Sequence, residues 1–184
     1  MPPETTIASH DGYAGRLLRV RVDDILLPSG RTSSREVVEH PGAVAVLALT
    51  TDDHLLLVRQ YRHAAGRALL ELPAGTRDRD ESAEETARRE LIEETGHTPG
   101  TLTALVTFFP TPGYSTERIT LFRADACVPV EHDGDAEEPA QLVRVPLAKV
   151  PSLTAPGPDQ IEDGKTLIGL LWLTRNALGA GDTP

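Results

Sequence analysis

The chain has 184 residues, 39% hydrophobic and 25% charged, with a net charge of −10 and a single cysteine. That length suits one well-cored globular, soluble domain with a small extension, and the acidic balance argues against a nucleic-acid surface, which needs a basic patch. Cys127, as the only cysteine, excludes an intrachain disulfide and fits a reducing, cytoplasmic setting, and no stretch approaches the roughly 18 apolar residues of a membrane span.

Residues 1–12 lack the basic start and apolar run of a secretory signal and read as a loose tail. Residues 16–27 alternate apolar and charged side chains, as a half-exposed strand does. Pro28-Ser29-Gly30 then turns the chain into a second strand at 34–40. A lone hairpin is marginal in water, so this one must pack on something, a partner subunit being one option. Ala43 to Thr50 is almost wholly apolar and reads as a central strand. Asp52-Asp53-His54 turns it back into a strand from Leu55 to Arg62, and Ala68 to Leu72 leads into Pro73-Ala74-Gly75.

Further strands are expected at 102–109, 119–130 and 141–145, with an acidic loop from Glu131 to Glu138 before the last. Cys127, inside one of them, reads as a buried structural thiol. A connection containing Pro151, Pro156 and Pro158 precedes a final helix at about 160–178. Ile161, Ile168, Leu171 and Trp172 fall near one face of that helix, as core or subunit contacts. Residues 179–184 form a polar tail. Strands outnumber helices and are not regularly interleaved with them, which makes the class α+β.

The stretch 75–97 carries the chemistry. Ser82 with Glu85 fits a capping box, Ala83, Ala87 and Leu91 recur at helical spacing, and Gly96 with Pro99 ends the run. The helix is expected at 82–95. Glu90, Glu93 and Glu94 then share one face in its last two turns. The helix dipole is negative there, and like charges at i, i+4 repel by roughly 0.2–0.5 kcal/mol per pair. Arg89 can pair with Glu93, but one guanidinium does not neutralise three carboxylates. A bound Mg²⁺ would, since hard cations take carboxylate oxygens. The ordinary reading of a charge run, a solvated acidic face, stands beside this one.

Gly75, Glu81, Arg89, Glu90, Leu91, Glu93, Glu94 and Gly96 at these spacings resemble the signature of the Nudix hydrolase family. His97 departs from it in a slot that is apolar in the family and serves packing. Other stretches resemble the ADP-ribose pyrophosphatase branch: Arg35 to Val44; Val58 to Arg62 with Glu71 to Gly75; Thr111 to Glu117; and Asp163 to Leu167. Pro112 lies 16 residues beyond Gly96, where that branch carries a proline. Thr111 stands where serine is commoner, and Gly164 where alanine is. The likeness covers about residues 16–173.

The resemblance implies an α/β/α Nudix sandwich with a mixed sheet, preceded by an N-terminal antiparallel β-hairpin extension. Residues 1–40 would be the tail and hairpin, serving dimerisation by strand exchange, and 41–184 the Nudix hydrolase domain. It implies metal ligation by Glu90, Glu94 and the Ala74 carbonyl, with Glu93 a ligand or an outer partner. Mg²⁺ is the expected ion, with Mn²⁺ as the alternative. Glu81 and Arg89 would hold the loop and orient the glutamates. The general base is expected from the later acidic loop, Glu138 ahead of Glu137, against the plainer reading of a solvated loop tip.

Arg59 could reach a phosphate through its fork of donors. Arg62 reads equally as a second such contact or as an exposed strand residue. Glu117, beyond Gly113 in the Pro112-Gly113 loop, is implied to bind the terminal ribose hydroxyls. The adenine slot would draw on the hairpin of a second subunit in a homodimer. The activity implied is Mg²⁺-dependent hydrolysis of ADP-ribose to AMP and ribose 5-phosphate by a metal-activated water. The same chemistry on ADP-glucose or GDP-mannose is the nearest alternative, and a non-catalytic ADP-ribose or nucleotide sensor is the more distant one.

Overall fold

Strand alternation, two caps and one close helix–sheet contact account for most of what positions the site. The computed structural model describes residues 2–78, 80–131, 140–157 and 160–179. It contains two compact units, residues 1–42 with 108–118 and residues 43–107 with 119–184.

The first unit is a three-stranded antiparallel sheet in the order β1-β2-β3, with β1 at Thr5–Ala14, β2 at Arg19–Leu26 and β3 at Thr32–Glu39. The expected hairpin is β2 with β3. The expected loose tail is instead β1, paired with β2 from Thr5 opposite Leu26 to Ala14 opposite Arg19. Its sequence lacks apolar alternation, so periodicity does not reveal it. Polar pairs hold it in register: Ser9 donates to Asp23 at 2.7 Å, and Arg19 bonds Asp11. The 109–118 loop docks on β3 through backbone bonds, with Val38 N–H donating to Tyr114 O at 2.8 Å and Thr116 N–H to Val38 O at 2.9 Å.

The second unit holds an eight-stranded mixed sheet. Its strands include β4 (Ala43–Thr50), β5 (His54–Arg62), β6 (Arg67–Glu71) and β7 (Ala74–Thr76), the last two covering the expected 68–72 strand and the start of the glycine stretch. Helix α1 (Ala83–Thr95) follows, then β8 (His97–Thr98), β9 (Thr101–Phe108), β10 (Ile119–Pro129) and β11 (Gln141–Pro146). The spine runs β11-β5-β4-β10-β8, with β10 parallel to β4 and the other registered pairs antiparallel. A short helix α2 (Val150–Leu153) sits in the proline-rich connection, and α3 (Gly164–Gly179) closes the unit.

Parity along the strands sorts the core into two layers. Val44, Val46 and Ala48 of β4 with Leu56, Phe122 and Ala124 meet Ala87 and Leu91 of α1. Leu47, Leu72 and Leu121 lie on the other face, against Gly169 of α3. Helices therefore cover both faces of one sheet, which is the α/β/α sandwich. His97, in the slot expected to be apolar, is buried with Nδ1 2.6 Å from Thr95 O. Cys127 is buried as expected, and burial pushes its thiol up to about 11.

The face expected on the last helix is corrected. Among its described residues Thr166, Gly169 and Leu170 are buried, Trp172 is half-buried, Ile168 and Leu171 are exposed, and Ile161 is buried ahead of the helix. Small residues let α3 approach the sheet, so the largest apolar side chains do not mark its inner face. The helix also starts at Gly164 and not near 160, because Asp163 caps it by accepting from Thr166 N–H at 3.0 Å.

The capping box on α1 is present in full. Glu85 N–H donates to Ser82 Oγ at 3.2 Å, and Ser82 N–H donates to Glu85 Oε2 at 2.8 Å. Gly96 ends the helix at φ 64, with its N–H bonded to Ile92 O. Ser82→Ala should cost about 1 kcal/mol, a fall of about 2–4 °C in Tm by calorimetry.

Candidate active site

Two clusters of charge meet beside β7. The first is on α1. Leu91 and Ala87 bury one side of this helix, which leaves Glu90, Glu93 and Glu94 along its rim in the last two turns. No basic residue occupies that last turn. The carboxylates thus sit at the negative end of the dipole with Arg89 as the basic partner that the helix supplies.

Arg89 divides its donors among three carboxylates. Its Nε donates to Glu81 Oε1 at 2.9 Å, and its Nη1 to Glu90 Oε1 at 2.8 Å and to Glu93 Oε2 at 2.9 Å. Glu81, beyond the helix N-terminus, also accepts from Thr86 Oγ1 at 3.0 Å, and the Arg89 guanidinium holds its carboxyl below the usual range. This arrangement ties the loop before α1 to the acidic rim.

Glu90 and Glu94 are the more buried members. Burial raises the Glu90 carboxyl above its ordinary value, against the opposing pull of Arg89. Glu94 accepts from Ala74 N–H at 2.9 Å, which fixes it against β7. Burial pushes it up to about 7; that N–H, Arg62 and Lys165 pull it down, and Glu90 adds to the rise. Glu93 is the exposed member, its side chain 44% accessible.

Gly75 explains the glycine at the head of the motif. A Cβ there would lie 1.9 Å from the Glu90 carboxyl carbon, so only glycine lets that carboxylate rest against the β7 backbone. Gly75→Ala should therefore displace Glu90. The divalent-cation concentration giving half-maximal activity should rise about 10-fold or more. An unchanged metal titration would contradict this placement.

The second cluster was not legible as a unit in the sequence. Glu71, 1% exposed, receives a two-pronged bond from Arg62, with Nε and Nη2 each at 2.8 Å, and a further bond from Lys165 Nζ. Burial raises the Glu71 carboxyl, but Arg62 and Lys165 outweigh it and hold the group below its ordinary range. Lys165 also meets Asp163 at 3.1 Å. Thr166 Oγ1 accepts from Leu72 N–H at 2.8 Å, pinning the start of α3 to the end of β6. The signals available were opposite charges on adjacent strands, Arg62 and Glu71, and a capping aspartate before an apolar helix. Neither reveals the register that joins them.

The remaining expected site residues lie on other elements. Arg59 is exposed, and strand alternation from Arg62 sends it to the other face of β5. Gly113 and Glu117 belong to the first unit, where Glu117 N–H donates to Ser115 Oγ at 3.1 Å and its carboxylate lies 3.9 Å from His40 Nδ1. Glu137 and Glu138 lie outside the described residues.

The acidic rim suits a hard divalent cation. Its donors are all oxygens, two of them on carboxyls that burial makes costly to ionise, and Arg89 alone does not discharge the set. Among the described residues no three acidic, histidine or cysteine groups already converge as a cage. Arg89 and the Ala74 N–H hold the carboxylates in position.

Comparison with known proteins identifies the class. The NUDIX domain matches residues 39–167, and the nucleoside diphosphate sugar hydrolase N-terminal domain matches residues 4–38. The chain is similar to an ADP-ribose pyrophosphatase of Bacillus subtilis (strain 168), with 35% identity over 170 residues and 92% of each chain covered. It is similar to a methanol dehydrogenase activator of Bacillus methanolicus, with 36% identity and the same coverage. A crystal structure of an ADP compounds hydrolase superposes with a TM-score of 0.85 at 28% identity, covering 100% of this chain and 98% of that one. The chain therefore belongs to the Nudix hydrolase family, whose members depend in general on divalent metal ions.

Proposed function

We propose that this enzyme hydrolyses the pyrophosphate of ADP-ribose to AMP and ribose 5-phosphate, with Mg²⁺ as the preferred ion. The observation that carries the reading is the acidic rim of α1 with Arg62 and Lys165 beside it, in a chain similar along 92% of its length to an ADP-ribose pyrophosphatase. Carboxylates for a cation next to donors for an anion suit an anhydride between two phosphates.

Glu90, Glu94 and the Ala74 carbonyl would hold the ion, with Glu93 a ligand or an outer partner. When bound, the cation screens the pyrophosphate charge and makes a water more acidic. Arg89 and Glu81 keep the carboxylates oriented. Arg62, its Nε and Nη2 committed to Glu71, has Nη1 left to meet a phosphate oxygen. Glu138, then Glu137, is the candidate base that accepts the proton of the attacking water. The new bond joins the water oxygen to one phosphorus, and the bridging oxygen leaves with the other. Glu117, beside Gly113, is the candidate contact for the terminal ribose.

A homodimer that exchanges its N-terminal strands in the cytoplasm completes the reading. Ile7, Tyr13 and Leu17, exposed in and beside β1, support an apolar surface awaiting a partner, and sedimentation of the purified chain tests it. No helix among the described residues is long and apolar enough to cross a membrane. Comparing kcat/KM on ADP-ribose, ADP-glucose and GDP-mannose tests the substrate. A clear lead for ADP-ribose is expected, and a higher value on another sugar would keep the site but move its specificity.

A further inference from the structure

The face of β5 turned away from Arg62 has its own cleft, of about 790 Å³. Arg59 lies in it, with β6 and β11 on either side and α2 and the segment ahead of α3 above. Among the described residues, four cations line the space, Arg59, Arg67, Arg144 and Lys149, with Glu162 as the acid beside them. The chain as a whole carries 28 acidic residues to 18 Lys and Arg, so among the described lining residues the local sign is reversed.

Two of these cations are already paired, Arg67 with Glu162 at 2.6 Å and Arg144 with Asp52 at 2.7 Å. Arg59 and Lys149 have no ion-pair partner among the described residues, and both are exposed to the cleft. Leu70 and Leu153 add apolar surface. The volume falls within the roughly 300–1,000 Å³ of small-molecule sites, well beyond the needs of a bare anion.

We propose that this cleft binds a phosphorylated small molecule, its phosphate held between Arg59 and Lys149 and its carbon skeleton against Leu70 and Leu153. The planar guanidinium supplies a two-pronged contact to phosphate oxygens, and the ammonium a point charge. The site is on the sheet face opposite Arg62 and does not depend on the hydrolytic reading.

The test is a ¹H–¹⁵N NMR titration of the full chain, with chelator present, using glucose 6-phosphate and inorganic phosphate as separate probes. Glucose 6-phosphate is not a product of the proposed reaction, so the outcome does not follow that reading. Shifts are expected at Arg59 and across Arg144 to Ser152. Lys149→Glu should weaken binding by at least about 10-fold, and Lys149→Arg should restore it. Lys149 is exposed, so both variants should melt with the wild type. Tighter binding of glucose 6-phosphate than of phosphate assigns the site to a phosphorylated metabolite. Equal affinity at the same residues assigns it to free phosphate and overturns the seat proposed for the carbon skeleton. Absence of shifts at these residues with either probe, or shifts indifferent to Lys149→Glu, overturns the site.

Discussion

Glu94→Gln is expected to leave the fold intact and lower kcat by about 100-fold or more. The amide matches the carboxylate in shape, and its oxygen can still accept from Ala74 N–H, the bond now made at 2.9 Å. What it cannot supply is charge. A neutral group beside Glu90 weakens the attraction for a divalent cation without disturbing Leu91 or Ala87 beneath. Circular dichroism and a melting curve should therefore match the wild type while steady-state turnover collapses. Turnover near the wild-type rate would remove Glu94 from the metal site.

Glu71→Ala should produce the opposite pattern, a loss of stability before any question of chemistry. Removing this buried carboxylate leaves Lys165 and Arg62 without the partner that holds both. Breaking a buried pair on one side costs about 3–5 kcal/mol, and Arg62 can turn partly to water, so a value near 3 is expected. For a chain of this size that lowers Tm by about 6–12 °C. The folded state holds the Glu71 carboxyl below its ordinary 4.5, so the stability it contributes is present at neutral pH. It is lost as pH falls below that value, where protonation releases both cations. The deficit of the variant should accordingly be largest near pH 7 and shrink below about pH 4.5. A deficit that is flat with pH would show that the group acts through packing and not through charge.

How much of this was legible in the sequence varies with the range of the cause. The α1 boundaries follow from Ser82, Glu85 and Gly96, whose bonds are made within four residues, and they matched. Glu90, Glu93 and Glu94 on one rim likewise follow from helical spacing alone. Strand β1 is not legible in the sequence because its order comes from pairing with β2 and from Ser9 with Asp23, not from any apolar period of its own. The inner face of α3 does not follow from its apolar spacing because Thr166 and Gly169 are buried for their small size, which hydropathy does not weigh.

The Arg62–Glu71–Lys165 cluster joins residues far apart in the chain, from Arg62 on one strand to Lys165 on the last helix. Its members could be named individually, but the contact depends on strand register and on where α3 lands. Gly75 shows the converse. As a motif letter it is only a spacing, and the approach of the Glu90 carboxyl gives it a steric reason.

The measurement that tests the central claim most directly is product analysis of the purified chain with ADP-ribose, in Mg²⁺ and in excess chelator. AMP and ribose 5-phosphate in equal amounts, formed with Mg²⁺ and absent with chelator, is the predicted result. Undiminished turnover in chelator would contradict the role given to the glutamates of α1. Tight binding of ADP-ribose without turnover in Mg²⁺ would make the chain a nucleotide sensor on a Nudix fold.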